Sequence, residues 1–120
     1  MVLPTEGCLL RIFIGDGDRH EGRPLYEWLV LRARALGVAG ATVLRGAMGY
    51  GARSRLHTFR IERLSEDLPV VLEFVDTREK LESFLAEVDA VVGEGLATME
   101  KAEVRFYRTG TGRGAAPRER

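Results

Sequence analysis

The chain has 120 residues, 45% of them hydrophobic, with 18 basic and 18 acidic side chains and a formal net charge of zero. That length suits one domain that buries its core without disulfides or metals. The charge balance argues against a nucleic-acid binder, whose affinity comes mostly from neutralising phosphates.

Cys8 is the single cysteine, so neither an internal disulfide nor a cysteine zinc site is available. It opens an apolar run and reads as a buried structural thiol, which fits a reducing cytoplasm. That run, "CLLRIFI", is too short for a secretory core and is broken by Arg11. No stretch approaches a membrane span, so no direct insertion is expected.

In chain order, "CLLRIFIG" (8–15) reads as a strand with Leu10, Ile12 and Ile14 on one face and Leu9, Arg11 and Phe13 on the other. "DGDRHEG" (16–22) reads as a polar loop. Pro24 suits the first turn of a helix, which continues through "LYEWLVLRARAL" with Leu25, Trp28, Leu29 and Leu36 at helical spacing and ends at Gly37. "VAGATVLRG" (38–46) is a second strand. "LHTFRIERL" (56–64) alternates as a short strand or an extended return arm.

"PVVLEFVD" (69–76) is the clearest strand, with Pro69 at its start, where a missing donor is tolerated. The clearest helix follows. Asp76 or Thr77 can cap it, and Glu79 can close a capping box onto Asp76. Its apolar stripe is Leu81, Phe84, Leu85, Val88, Val91 and Val92, and Gly93 ends it. The last strand falls within 95–108, with Val104 and Phe106 alternating against Arg105 and Tyr107. The tail, 109–120, lacks an apolar anchor and is expected to be disordered, leaving 1–108 as a single domain.

The order β-α-β, long connection, β-α-β is that of an α+β fold, a ferredoxin-like βαββαβ sandwich. Right-handed crossovers put both helices on one side of the sheet. The best strands are apolar on both faces, with Leu9 and Phe13 opposing the helix side in one and Val71 and Val75 in the other. The bare face predicts an oligomer with closed cyclic symmetry that covers it.

Catalytic sets are sparse. No G-x-S-x-G and no H-E-x-x-H occur, and His20 and His57 lie far apart in polar stretches. Asp16, Asp18 and Glu21 lack the spacing of a calcium loop and read as a solvated acidic turn, so no metal site is expected. The segment "RGAMGYGARSR" (45–55) is the most distinctive. Its Gly46, Gly49 and Gly51 spell neither a dinucleotide fingerprint nor a Walker loop. Glycines can still turn amides toward an anion, with Arg45, Arg53 and Arg55 adding charge. The alternative is a hairpin connection in which glycine supplies positive φ. The connection of about 46–67 is long for a compact domain, which marks it as functional or disordered.

"PLYE", "GATVLRG", "GYG", "LSEDLPV" and "VDT" occur in order within positions 9 to 106. In these motifs the chain resembles the prokaryotic family of domain of unknown function one-ninety. That family is similar in fold to the PII signalling proteins. The resemblance implies a homotrimer that binds an adenine nucleotide in clefts between subunits. It also implies a long loop between the second and third strands that docks on a partner. On that basis Arg45, Gly46, Gly49 and Lys101 would contact the nucleotide, and Tyr50, Arg53 and Arg55 would belong to the partner-binding loop. Family association with fluoride channels implies a membrane-transport partner.

Two departures stand out. After the second helix PII proteins carry a glycine-rich phosphate loop with a lysine, where this chain has only "VVGEGLATMEK" with Gly93, Gly95 and Lys101. Tyr50 sits near the loop base rather than its tip, so PII-type tyrosine modification is not carried over. The resulting expectation is a cytoplasmic regulatory protein, not an enzyme. The competing readings are a ligand-independent interaction module, an enzyme using His57 or Cys8, and a nucleic-acid binder using Tyr50 and the arginines.

Overall fold

The structure, a computed structural model, describes residues 6–50, 57–58, 68–108 and 110. Four strands form the main sheet: β1 (Glu6–Gly15), β4 (Gly40–Arg45), β7 (Pro69–Asp76) and β8 (Leu96–Glu103). Their order is β4-β7-β1-β8, with each neighbouring pair antiparallel. Two helices, α1 (Leu25–Ala35) and α2 (Arg78–Val88), follow β1 and β7. α1 lies over β4 and β7, and α2 over β1 and β7. This is the expected βαββαβ sandwich. No helix among the described residues is long and apolar enough to cross a membrane.

Period-two alternation decides which face of each strand meets the helices. Cys8, Leu10, Ile12 and Ile14 of β1 are buried, as are Val70, Leu72 and Phe74 of β7. They meet Leu25, Leu29 and Ala33 of α1 and Leu81, Phe84 and Val88 of α2. Phe74 and Phe84 pack ring against ring at 4.9 Å between centroids. The burial of Leu25, Leu29 and Ala33 at four-residue spacing shows why this segment is helical: one narrow stripe faces the sheet while the arginines stay outside.

The residues of the opposite face align in rows across the sheet. Leu44, Val71, Phe13 and Leu96 form an apolar row, in which Leu44 is 48% and Leu96 59% exposed. The next row is Thr42, Glu73, Arg11 and Thr98. Arg11 Nε lies 3.0 Å from Glu73 Oε2, and Nη1 lies 3.4 Å from Glu100 Oε2. The Glu73 hydrogen bond, with the charge of Glu100, raises the basicity of Arg11 above its ordinary value against the opposing effect of desolvation. The bare face is thus apolar at one end and crossed by an ion network at its middle.

Several local expectations are corrected. The segment read as a polar loop contains a hairpin, β2 (Arg19–His20) against β3 (Arg23–Pro24). Glu21 (φ 51°) and Gly22 (φ 81°) form its two-residue turn, which needs positive φ at both positions. Pro24 caps α1 rather than entering it. Thr77 caps α2 and accepts from the Lys80 N–H, so the third helical position holds a lysine and Glu79 closes no box. Asp76, 1% exposed, instead bridges two backbone segments: its Oδ2 accepts from Ala39 N–H at 2.8 Å and its Oδ1 from Thr77 N–H. It thereby ties the start of β4 to the end of β7.

α2 ends at Val88 rather than near Gly93. β8 ends at Glu103, and the chain then crosses the end of the sheet. There Val104 packs against Gly7 and the Tyr107 hydroxyl donates to Ala39 O at 3.0 Å. Within the return arm, β6 (His57–Thr58) pairs with β5 (Met48–Gly49). The rest of 51–67, and all of the tail except Gly110, lie outside the described residues.

Candidate functional site

The long connection leaves the sheet at Arg45 and returns at Pro69. Gly46 N–H donates to Pro69 O at 2.8 Å, which ties the two roots together. A Cβ on Gly46 would stand 2.8 Å from Pro69 Cγ, and one on Gly49 would stand 3.1 Å from the same atom. Neither glycine is among the described residues with positive φ, which are Glu21, Gly22 and Gly37. Gly46 and Gly49 are therefore explained by close approach to the proline ring rather than by turn conformation.

Arg45 is the last residue of an edge strand and pairs with Val70 on the helix side. Its side chain is 56% exposed, but the guanidinium is held. Nη2 donates to the Tyr26 hydroxyl at 2.7 Å and lies 3.4 Å from Asp16 Oδ1. The guanidinium carbon sits 5.3 Å from the Tyr26 ring centroid. Tyr26 comes from the first turn of α1. Asp16 follows β1 directly, and its backbone N–H donates to Leu68 O at 2.7 Å. Asp16 therefore touches both roots of the connection, Arg45 through its side chain and Leu68 through its backbone.

Of the remaining site residues predicted from sequence, Tyr50 is 71% exposed beside this root. Arg53 and Arg55 lie outside the described residues. Lys101 is exposed on β8 and pairs with Cys8, whereas Arg45 aligns through Val70 with Ile14. Three strand spacings and six residues along the strands separate Lys101 from Arg45, about 25 Å. One subunit does not bring the two cations to one ligand.

Near the Arg45 end of the sheet, at its other edge, a groove of about 230 Å³ runs between α2 and β8. Leu85, Val88, Val92 and Leu96 line it, with Asp89 at its rim. Gly95 borders it, and a Cβ there would stand 2.7 Å from Phe13 O. Its side chains offer a phosphate a carboxylate and no cation. On the hairpin, His20 meets Trp28 edge-on at 4.7 Å, and Trp28 Nε1 donates to Glu21 Oε1 at 3.2 Å. Cys8 is buried. No group of His, Cys, Asp and Glu among the described residues could hold a metal ion.

Residues 7–104 match the family model of domain of unknown function one-ninety, described as "Uncharacterized ACR". The chain belongs to that family. Over 98 residues it is 41% identical to a UPF0166 protein of Aquifex aeolicus, covering 82% of this chain and 92% of that one. A UPF0166 protein of Methanocaldococcus jannaschii is 37% identical over 84 residues, covering 70% of this chain and 77% of that one.

Solved structures share the fold at lower identity. CPII from Thiomonas intermedia K12, bound to ADP and bicarbonate, superposes with a TM-score of 0.62 at 16% identity, covering 82% of this chain and 88% of that one. A PII-like signalling protein described as putative, from Thermus thermophilus, superposes with a TM-score of 0.60 at 20% identity, covering 87% and 93%. The fold is PII-like, as the motifs implied. These similar proteins are described as uncharacterised or as PII-like, not as enzymes.

The sequence motifs pointed to Arg45 and the glycines. They did not point to Tyr26 and Asp16, which hold the arginine, because nothing along the chain links positions 16, 26 and 45. The motif "PLYE" contains Tyr26, and that was the available signal.

Proposed function

We propose that the protein is a PII-like regulatory subunit that assembles as a homotrimer and binds an adenine nucleotide where subunits meet. The likeness in fold to CPII, a protein solved with ADP, carries this reading. In it, the bare sheet face turns toward the symmetry axis, which would cover the apolar row from Leu44 to Leu96. The edges β4 and β8 are the two ends of the sheet, so a closed ring brings β4 of one subunit toward β8 of the next. Arg45 and the Gly46–Gly49 root would line one wall of the resulting cleft. Lys101 would reach a ligand at Arg45 only from the facing wall. The nucleotide would bias the conformation of the connection carrying Tyr50, Arg53 and Arg55, and a partner, such as a transport protein, would read the difference.

Calorimetric titration with AMP, ADP, ATP and cyclic AMP tests the nucleotide, and Arg45→Ala tests its place. Heat from at least one nucleotide, reduced at least tenfold in affinity by Arg45→Ala, is expected. No heat and no thermal shift with any of the four removes the nucleotide from the proposal. Partner capture that is lost on deleting residues 46–67, yet indifferent to every nucleotide, would favour a ligand-independent interaction module instead.

A further inference from the structure

The guanidinium proposed to meet a phosphate already has an anion against it. Arg45 Nη2 lies 3.4 Å from Asp16 Oδ1 and donates to the neutral Tyr26 hydroxyl at 2.7 Å. The carboxylate projects from a fixed stretch of backbone. Asp16 N–H is bonded to Leu68 O at 2.7 Å, and two residues on Asp18 N–H is bonded to Gly15 O at 3.2 Å. The backbone thus fixes the point from which the Asp16 side chain reaches Arg45. The next amide along, Gly46 N–H, is committed to Pro69 O, so an anion arriving at this root meets the side chain of Arg45 before any free amide of Gly46.

We infer that Asp16 is a built-in counter-anion that limits how strongly Arg45 binds a phosphate-bearing ligand. The inference rests on the reading of Arg45 as a ligand contact. A guanidinium presents five N–H donors in a rigid fork and binds phosphate best through two of them. Asp16 draws on one corner of that fork. Its charge stays within about 6 Å of any phosphate seated on the remaining donors, where like charges still repel through partly exposed protein.

Attraction to Arg45 and repulsion from Asp16 both scale with the charge of the ligand, so Asp16 weakens the binding of an anion in proportion to that charge. Tyr26 orients the guanidinium without adding charge, so its contribution is positional. The pair thus tempers the affinity of a highly charged phosphate more than that of a monoanion.

Asp16→Asn keeps the size, the backbone bond and a polar contact, and removes only the charge. ADP is titrated at low salt into the full chain as wild type, Asp16→Asn, Arg45→Ala and the double variant, with Tyr26→Phe alongside. Asp16→Asn is expected to bind ADP about threefold more tightly, the gain is expected to shrink as salt rises, and it is expected to vanish in the Arg45→Ala background. Tyr26→Phe is expected to leave affinity equal or weaker. Binding by Asp16→Asn where wild type shows none also supports the inference.

If wild type binds ADP and Asp16→Asn binds equally or less tightly, the inference fails while the nucleotide reading stands. The inference fails too if Tyr26→Phe tightens binding as much as Asp16→Asn, since release rather than charge would then be the cause. If no variant binds ADP, the nucleotide reading fails and the inference falls with it.

Discussion

Gly46→Ala tests whether the loop root is held by close packing on Pro69. The added Cβ would stand 2.8 Å from Pro69 Cγ, 3.5 Å from its Cβ and 3.4 Å from its carbonyl oxygen. Ordinary contact begins near 3.4 Å, so one root must move by more than half an ångström. The proline ring has no rotamer that withdraws, and β7 pairing holds its backbone. Overpacking of this kind costs about 1–3 kcal/mol. Stretching the 2.8 Å bond from Gly46 N–H to Pro69 O costs about 1 kcal/mol more. Replacing glycine returns about 0.4–1 kcal/mol by restricting the unfolded chain. The net is a loss of about 2 kcal/mol, or a melting temperature lower by about 10 °C for a domain of this size.

Chemical denaturation of the four corners of a Gly46→Ala, Pro69→Ala cycle measures it. In the Pro69→Ala background Cγ is gone, and the cost of Gly46→Ala should fall below about 1 kcal/mol. An equal cost in both backgrounds would refute the argument from the ring.

Other outcomes follow from the same geometry. Gly95→Ala places a Cβ 2.7 Å from Phe13 O, a backbone atom of the central strand, and should destabilise by about 2–3 kcal/mol in urea unfolding. Asp76→Ala leaves the N–H groups of Ala39 and Thr77 without their carboxylate. A loss of about 2–4 kcal/mol is expected, with faster hydrogen exchange at Ala39. Arg11→Ala strands Glu73 and Glu100 on the bare face. Because an unpaired charge is tolerated in water and not in a dry interface, sedimentation should show dissociation to monomers with the fold retained. A stable oligomer would argue that another surface makes the contact.

The sandwich was legible because β1 and β7 are short apolar, β-branched runs and each helix carries one apolar stripe. The β2–β3 hairpin was not, because its strands are two residues long and its turn is Glu-Gly, a pair without the usual asparagine or aspartate signal. The strand beginning at Leu96 was seen, but its end was misplaced. Alternation at Val104 and Phe106 looks like more strand, yet Val104 turns onto Gly7 and Tyr107 reaches Ala39. The loop glycines were conspicuous and their reason was hidden, since Pro69 lies twenty or more residues away. The same holds for the Arg45 clamp and for the Arg11 network: sequence shows the charged residues, while only strand register and helix placement show which ones meet.

The most direct test of the nucleotide reading is native mass spectrometry of wild type and Arg45→Ala with ADP present. The account predicts a trimer of 13.3 kDa subunits carrying ADP for wild type, and the same trimer stripped of ADP for Arg45→Ala. A monomer, or a trimer whose ADP load does not change on losing Arg45, would contradict it.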